Sequence, residues 1–117
     1  MSVVMLFGLS IGGALVALGM VTVVFAPKVG PNAIFGVRTS ASRSSREAWD
    51  KSNRLGGWLM ALVGLSTAVL SIPVSMLDLE PSTGLLIVTA IMLGDLAVAV
   101  VVTVVAARRY ANEIGRR

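Results

Sequence analysis

Three long stretches of this chain carry almost no charge: residues 2–26 and 55–77 have none, and residues 84–107 have only Asp95. A bilayer core of about 30 Å is crossed by roughly 20 apolar residues in helical form, so each stretch is long enough to span it. The chain has 117 residues, 56% hydrophobic and 14% charged, which leaves room for one loop of substance, a short turn and a tail. A soluble domain this small has too little interior to hide three such runs. The fold class expected is all-α, a single integral membrane three-helix bundle over residues 1–117. Its spans fall at about 2–26, 55–77 and 84–107, with a structured cytoplasmic loop at 27–54.

The first stretch reads as a retained helix rather than a cleaved leader. No Lys or Arg precedes its apolar run, the run is too long for a leader core, and no A-x-A site precedes Lys28. Orientation follows from the basic residues. Lys28, Arg38, Arg43, Arg46, Lys51 and Arg54 lie between the first two spans, and Arg108, Arg109, Arg116 and Arg117 follow the third. The turn between spans two and three carries Asp78 and Glu80 and no base. Short basic loops stay cytoplasmic, so the N-terminus is expected outside and the C-terminus inside.

In lipid, helices associate through close approach at small residues rather than through apolar surface alone. Span two places Gly57, Ala61, Gly64, Ala68, Ser71 and Ser75 at alternating steps of four and three, one face of a helix. This face is expected to be the seam against both other spans. Span one offers Gly8 and Gly12 in GxxxG spacing, continued by Gly19 and Thr22, and span three offers Ala90, Gly94, Ala99, Thr103 and Ala106. Pro73 is expected to bend span two near its outer end.

The loop opens with Pro27-Lys28-Val29-Gly30-Pro31-Asn32, which predicts the end of span one and a tight turn. Ser44-Ser45-Arg46-Glu47 has the S-x-x-E form of a capping box. A short interfacial helix is therefore expected from near Ser45, either running into span two or bending at Gly56-Gly57. Trp58 reads as an ordinary aromatic-belt residue, whereas Trp49 keeps unusual company. Arg38, after Gly36, could meet lipid phosphate, a partner protein, or Glu47 or Asp50 within the loop. Arg43, Arg46, Lys51 and Arg54 read as a face for anionic lipid headgroups.

Pro31-Asn32-Ala33-Ile34-Phe35-Gly36-Val37-Arg38-Thr39, then Ser45-Arg46-Glu47-Ala48-Trp49, then Asn53-Arg54-Leu55-Gly56-Gly57 form a spaced pattern. It resembles the signature of the SdpI family of bacterial membrane proteins: a PN-x-x-x-G-x-R-T segment, a Ser/Glu-rich step to a Trp, then a polar residue and glycine opening the next span. The resemblance implies a small integral membrane protein, here in a short three-span form. The family's founding member confers immunity to a secreted killing peptide and holds a repressor at the membrane once toxin is bound. By this resemblance Asn32, Gly36, Arg38, Thr39, Glu47, Trp49 and Asn53 are the motif or partner-binding positions.

Asp95 is the second candidate site. An acidic group near the middle of a span costs roughly 2.5–3.5 kcal/mol on insertion scales, and Ser66 and Thr67 lie at matching depth on span two. We expect a neutral, hydrogen-bonded Asp95 that holds spans two and three together or meets a partner's helix. Enzyme chemistry has little support. The chain has no His and no Cys, no paired acids, and no Gly-rich phosphate loop, so no catalytic, cofactor or metal site is expected. Anionic lipid fits the basic loop better than nucleic acid does. The resemblance points to immunity or signalling at the bacterial cytoplasmic membrane, through a peptide or protein partner. The alternatives are a structural accessory subunit of a larger membrane complex, or a small proton-linked carrier using Asp95. A homo-oligomer is compatible with each.

Overall fold

The computed structural model describes residues 2–29, 41–42 and 44–116 and folds them into three helices with no strand among them. They are α1 (Val3–Val29), α2 (Arg46–Met76) and α3 (Pro81–Gly115), all long and apolar enough to cross a membrane. The bundle is 57 Å long and only 23 by 19 Å across, as three antiparallel rods require. Most of its large apolar side chains face outward, among them Leu62, Leu86, Val98 and Val101. A water-soluble monomer does not expose apolar faces of that extent, and a lipid-facing bundle does.

Each helix starts where local chemistry satisfies its free amides. Ser2 caps α1 through a bond from Met5 N to Ser2 Oγ at 3.1 Å. For α2 the cap is Ser45, whose Oγ accepts from Ala48 N at 3.0 Å. This corrects the capping-box expectation, because Glu47 then sits one position early for the reciprocal bond and pairs instead with Lys51 at 3.3 Å. Pro81 opens α3 at a position where its missing N–H costs nothing.

One further expectation about the loop changes. Pro27 does not end α1; the helix runs through it to Val29, where only the last turn is affected. The helix expected from near Ser45 takes the first of its two courses: α2 starts at Arg46 and is continuous through Gly56 and Gly57 to Met76. The helix likewise continues past Pro73, whose ring lies in its last turns.

The centre of the architecture is the seam between α1 and α2. A β-carbon on Gly12 would collide with the carbonyl oxygen of Gly64, and one on Gly64 with that of Gly12. The same reciprocal approach joins Gly19 to Gly57, and Gly8 meets the Ser71 side chain. These backbones touch with nothing between them, the geometry that small residues permit in lipid. Gly57, Ala61, Gly64, Ala68 and Ser71 therefore face α1. The hydrogen bond from α2 to α3 is made by Ser66, outside this run of small residues. α3 takes the adjacent face of α2, and it touches α1 chiefly where Val4 covers Gly84. Ser75, the last of the stripe, is half-buried and bonds to Ile72 O of its own helix at 2.6 Å.

The expected small-residue face of α3 is only partly used. Thr103 is buried and Ala99 and Ala106 are half-buried, but Ala90 and Gly94 are exposed, and a side chain at Gly94 would meet open space. The packed line of α3 runs instead through Gly84, Val88, Thr103 and Ala107. Its contact with α2 is looser, flanked on one side by a groove of about 230 Å³ lined by Gly56, Met60, Leu96 and Val100. On the other side lies a groove of about 410 Å³.

Candidate functional site at the basic end of the bundle

Antiparallel connection brings the end of α1, the start of α2 and the end of α3 together. Helix ends leave four carbonyls without intrahelical partners. At α1 two of these are supplied from α2. The Trp49 indole N–H donates to Ala26 O at 2.7 Å, fully buried, and the Arg46 guanidinium donates to Pro27 O. A cation at a helix C-terminus also offsets the negative end of the helix dipole. Arg46 thus caps α1, a role the sequence did not indicate. Lys28 lies in the last turn of α1 with its ammonium 5.2 Å from the Phe25 ring centroid.

Behind Trp49 lies a compact polar cluster. Asn53 is fully buried and donates from Nδ2 to Trp49 O at 3.0 Å. Ser42 and Ser52 are also fully buried. Ser52 Oγ and Asp50 Oδ1 are buried and make no hydrogen bond among the described residues. Glu47 and Lys51 are more open, and Lys51 reaches across to α3, 5.6 Å from the Tyr110 ring centroid. Trp49 is not a belt residue, being wholly enclosed, whereas Trp58 is half exposed in the manner of one.

Ser42, Arg46, Ser52 and Tyr110 were not singled out as site residues from sequence. The signal for the cluster was nonetheless present. Extending the small-residue face of α2 back from Gly57 in steps of four lands on Asn53 and then Trp49. The same α1-facing line changes from small to polar as it leaves the hydrocarbon. Of the other motif positions, Asn32, Gly36, Arg38 and Thr39 lie outside the described residues, as does Arg43.

Asp95 lies apart from this end, half-buried in α3. Ser66 donates from Oγ to Asp95 Oδ2 at 3.1 Å, as its depth suggested. Thr67 does not join them. It is fully buried and donates to Val63 O of its own helix at 2.9 Å. The carboxyl lines the groove of about 410 Å³ with Leu59, Leu62, Val98 and Val102, apolar side chains that leave it open along one flank. Among the described residues no group of His, Cys, Asp and Glu is placed to hold a metal ion.

Three apolar helices of spanning length, with polar chemistry confined to one end and a single mid-span pair, define a small multi-pass membrane protein. The profile of the SdpI/YfhL protein family matches residues 28–107, more than half of the chain, and the chain belongs to that family. The match covers the loop and cluster just described together with α2 and most of α3. No curated protein and no solved structure gives a significant match.

Proposed function

We propose that this chain is an immunity- or signalling-type member of its family, acting by binding a peptide or protein partner rather than by catalysis. Its motif segment is the binding element. One observation carries the reading: Trp49 and Arg46 tie the start of α2 to the end of α1, so residues flanking the segment are held on both sides. Such anchoring is more than a plain connector between spans needs. The basic end faces the cytoplasm in this proposal, because all ten Lys and Arg residues then stay untranslocated.

The test compares Arg38→Lys with Arg43→Lys at matched membrane levels. An ammonium cannot replace a planar two-point guanidinium contact, so Arg38→Lys should impair protection against a secreted peptide toxin, or recovery of a co-purifying partner. Arg43→Lys keeps the charge that headgroups require and should be silent. Wild-type behaviour of Arg38→Lys would remove Arg38 from the binding element.

A second reading, an accessory subunit in a larger membrane complex, is favoured by the open flank beside Asp95. An acid in a span is kept where it meets a polar partner. Asp95→Asn preserves an acceptor for Ser66 and should be tolerated in both binding readings, while Asp95→Leu should be harmful where a partner helix docks there. Loss of function in a well-folded Asp95→Asn protein would instead favour the proton-linked carrier, since Asn cannot titrate.

A further inference from the structure

At the basic end, α2 and α3 part to leave a groove of about 410 Å³ lined by Lys51, Arg54, Leu55, Trp58 and Tyr110. Two cations and two amphipathic rings occupy one opening, at the level where aromatic residues meet headgroups. Arg54 is exposed and forms no ion pair among the described residues; Asp50, one turn earlier, does not bridge to it. Lys51 is engaged by Glu47 at 3.3 Å. The groove next to it shares Tyr110 and contains both Arg109 and Glu113. Of the two cations that line the opening, Lys51 is paired and Arg54 has no salt bridge among the described residues.

This opening does not end at the surface. The neighbouring grooves share Tyr110 and then Val102, leading along the same flank past Leu59 and Leu62 to Ser66 and Asp95. From Arg54 to Ser66 the helix rises about 18 Å, slightly more than half of a hydrocarbon core about 30 Å thick. A charged mouth, an apolar channel of one-leaflet length and a polar stop at mid-depth match the outline of one phospholipid.

We propose that this flank of the α2–α3 seam is a binding site for a single anionic phospholipid. Its phosphate lies against Lys51 and Arg54 between Trp58 and Tyr110, and an acyl chain lies along Leu59, Leu62 and Val102. Charge selects the occupant. A zwitterionic headgroup would bring its own cation against Arg54, whereas a net-negative one brings none. The lipid also fills a seam that the protein's own side chains leave open.

Tryptophan fluorescence tests this directly, because Trp58 lines the groove and is 52% exposed, while Trp49 is 0% exposed. The full-length protein is placed in phosphatidylcholine vesicles that contain brominated phosphatidylglycerol or, at equal mole fraction, brominated phosphatidylcholine. Brominated phosphatidylglycerol should quench Trp58 more strongly. Lys51→Gln with Arg54→Gln should lose that preference, by about five-fold in relative affinity for each cation removed. Arg108→Gln with Arg116→Gln removes the same charge away from the groove and should retain it. Equal quenching by the two lipids in the wild-type protein would overturn the proposal. So would an equal loss in both double variants, which would reduce the effect to diffuse attraction of a basic surface.

Discussion

Trp49 shows how one side chain can serve two elements. Its ring is fully enclosed at the start of α2, its indole N–H closes the end of α1, and its own carbonyl receives Asn53. Replacing it with Phe keeps most of the ring and removes only the donor. Ala26 O is then left buried without that partner, which costs about 1–3 kcal/mol. Trp49→Phe should therefore lower resistance to denaturing detergent by that amount, and Asn53→Ala should act in the same direction. An unchanged unfolding midpoint for Trp49→Phe would show that Ala26 O finds water or another donor. Asp95 presents the opposite case, with a single Ser66 bond and an open flank. Hydrogen bonds between helices in membranes are worth about 0.6 kcal/mol on average, so that bond alone is a weak reason to keep an acid in a span.

At the level of helices, α1 and α2 are joined backbone to backbone, and the price of that closeness is intolerance. Gly64→Leu would push a side chain through Gly12 O and Val16 N, the latter 2.7 Å from where even a β-carbon would sit. Overpacking of this kind costs about 1–3 kcal/mol or more. Leu62 is exposed on another face, so Leu62→Ala should be mild. Equal detergent stability of the two variants would remove the seam as the main contact. Much of this was legible in the sequence. The run from Gly57 to Ser71 named the right face of α2, because close helix crossings need small residues and little else can substitute. The choice of neighbour was not legible. A small-residue pattern says that a backbone comes near, not which one, and the glycines of this face meet α1. Ala90 and Gly94 misled for a related reason: small residues are compatible with a lipid-facing surface as well as a seam. The Arg46 cap was equally hidden, since a guanidinium in a basic loop has the same sequence signature whether it meets a carbonyl or a phosphate.

Across the whole molecule, charge and packing divide along the long axis. The described basic residues and the buried polar cluster gather at one end, while Asp78 and Glu80 mark the other. A cysteine at exposed Asn112 should resist membrane-impermeant labelling in intact cells, and one at exposed Ser82 should react. The reverse pattern would invert the proposed orientation. The reciprocal glycine contacts and both bonds that close the end of α1 lie entirely within the first two helices. For a chain made from its N-terminus onward, this sets an order of assembly. Once α2 has left the ribosome, the hairpin has every partner its seam requires, and α3 arrives at a finished surface. A nascent chain arrested with α2 emerged and α3 still unmade should already shield a cysteine at Ala68 from lipid-soluble reagents. Reactivity there until α3 is added would show that the third helix is needed to close the first pair.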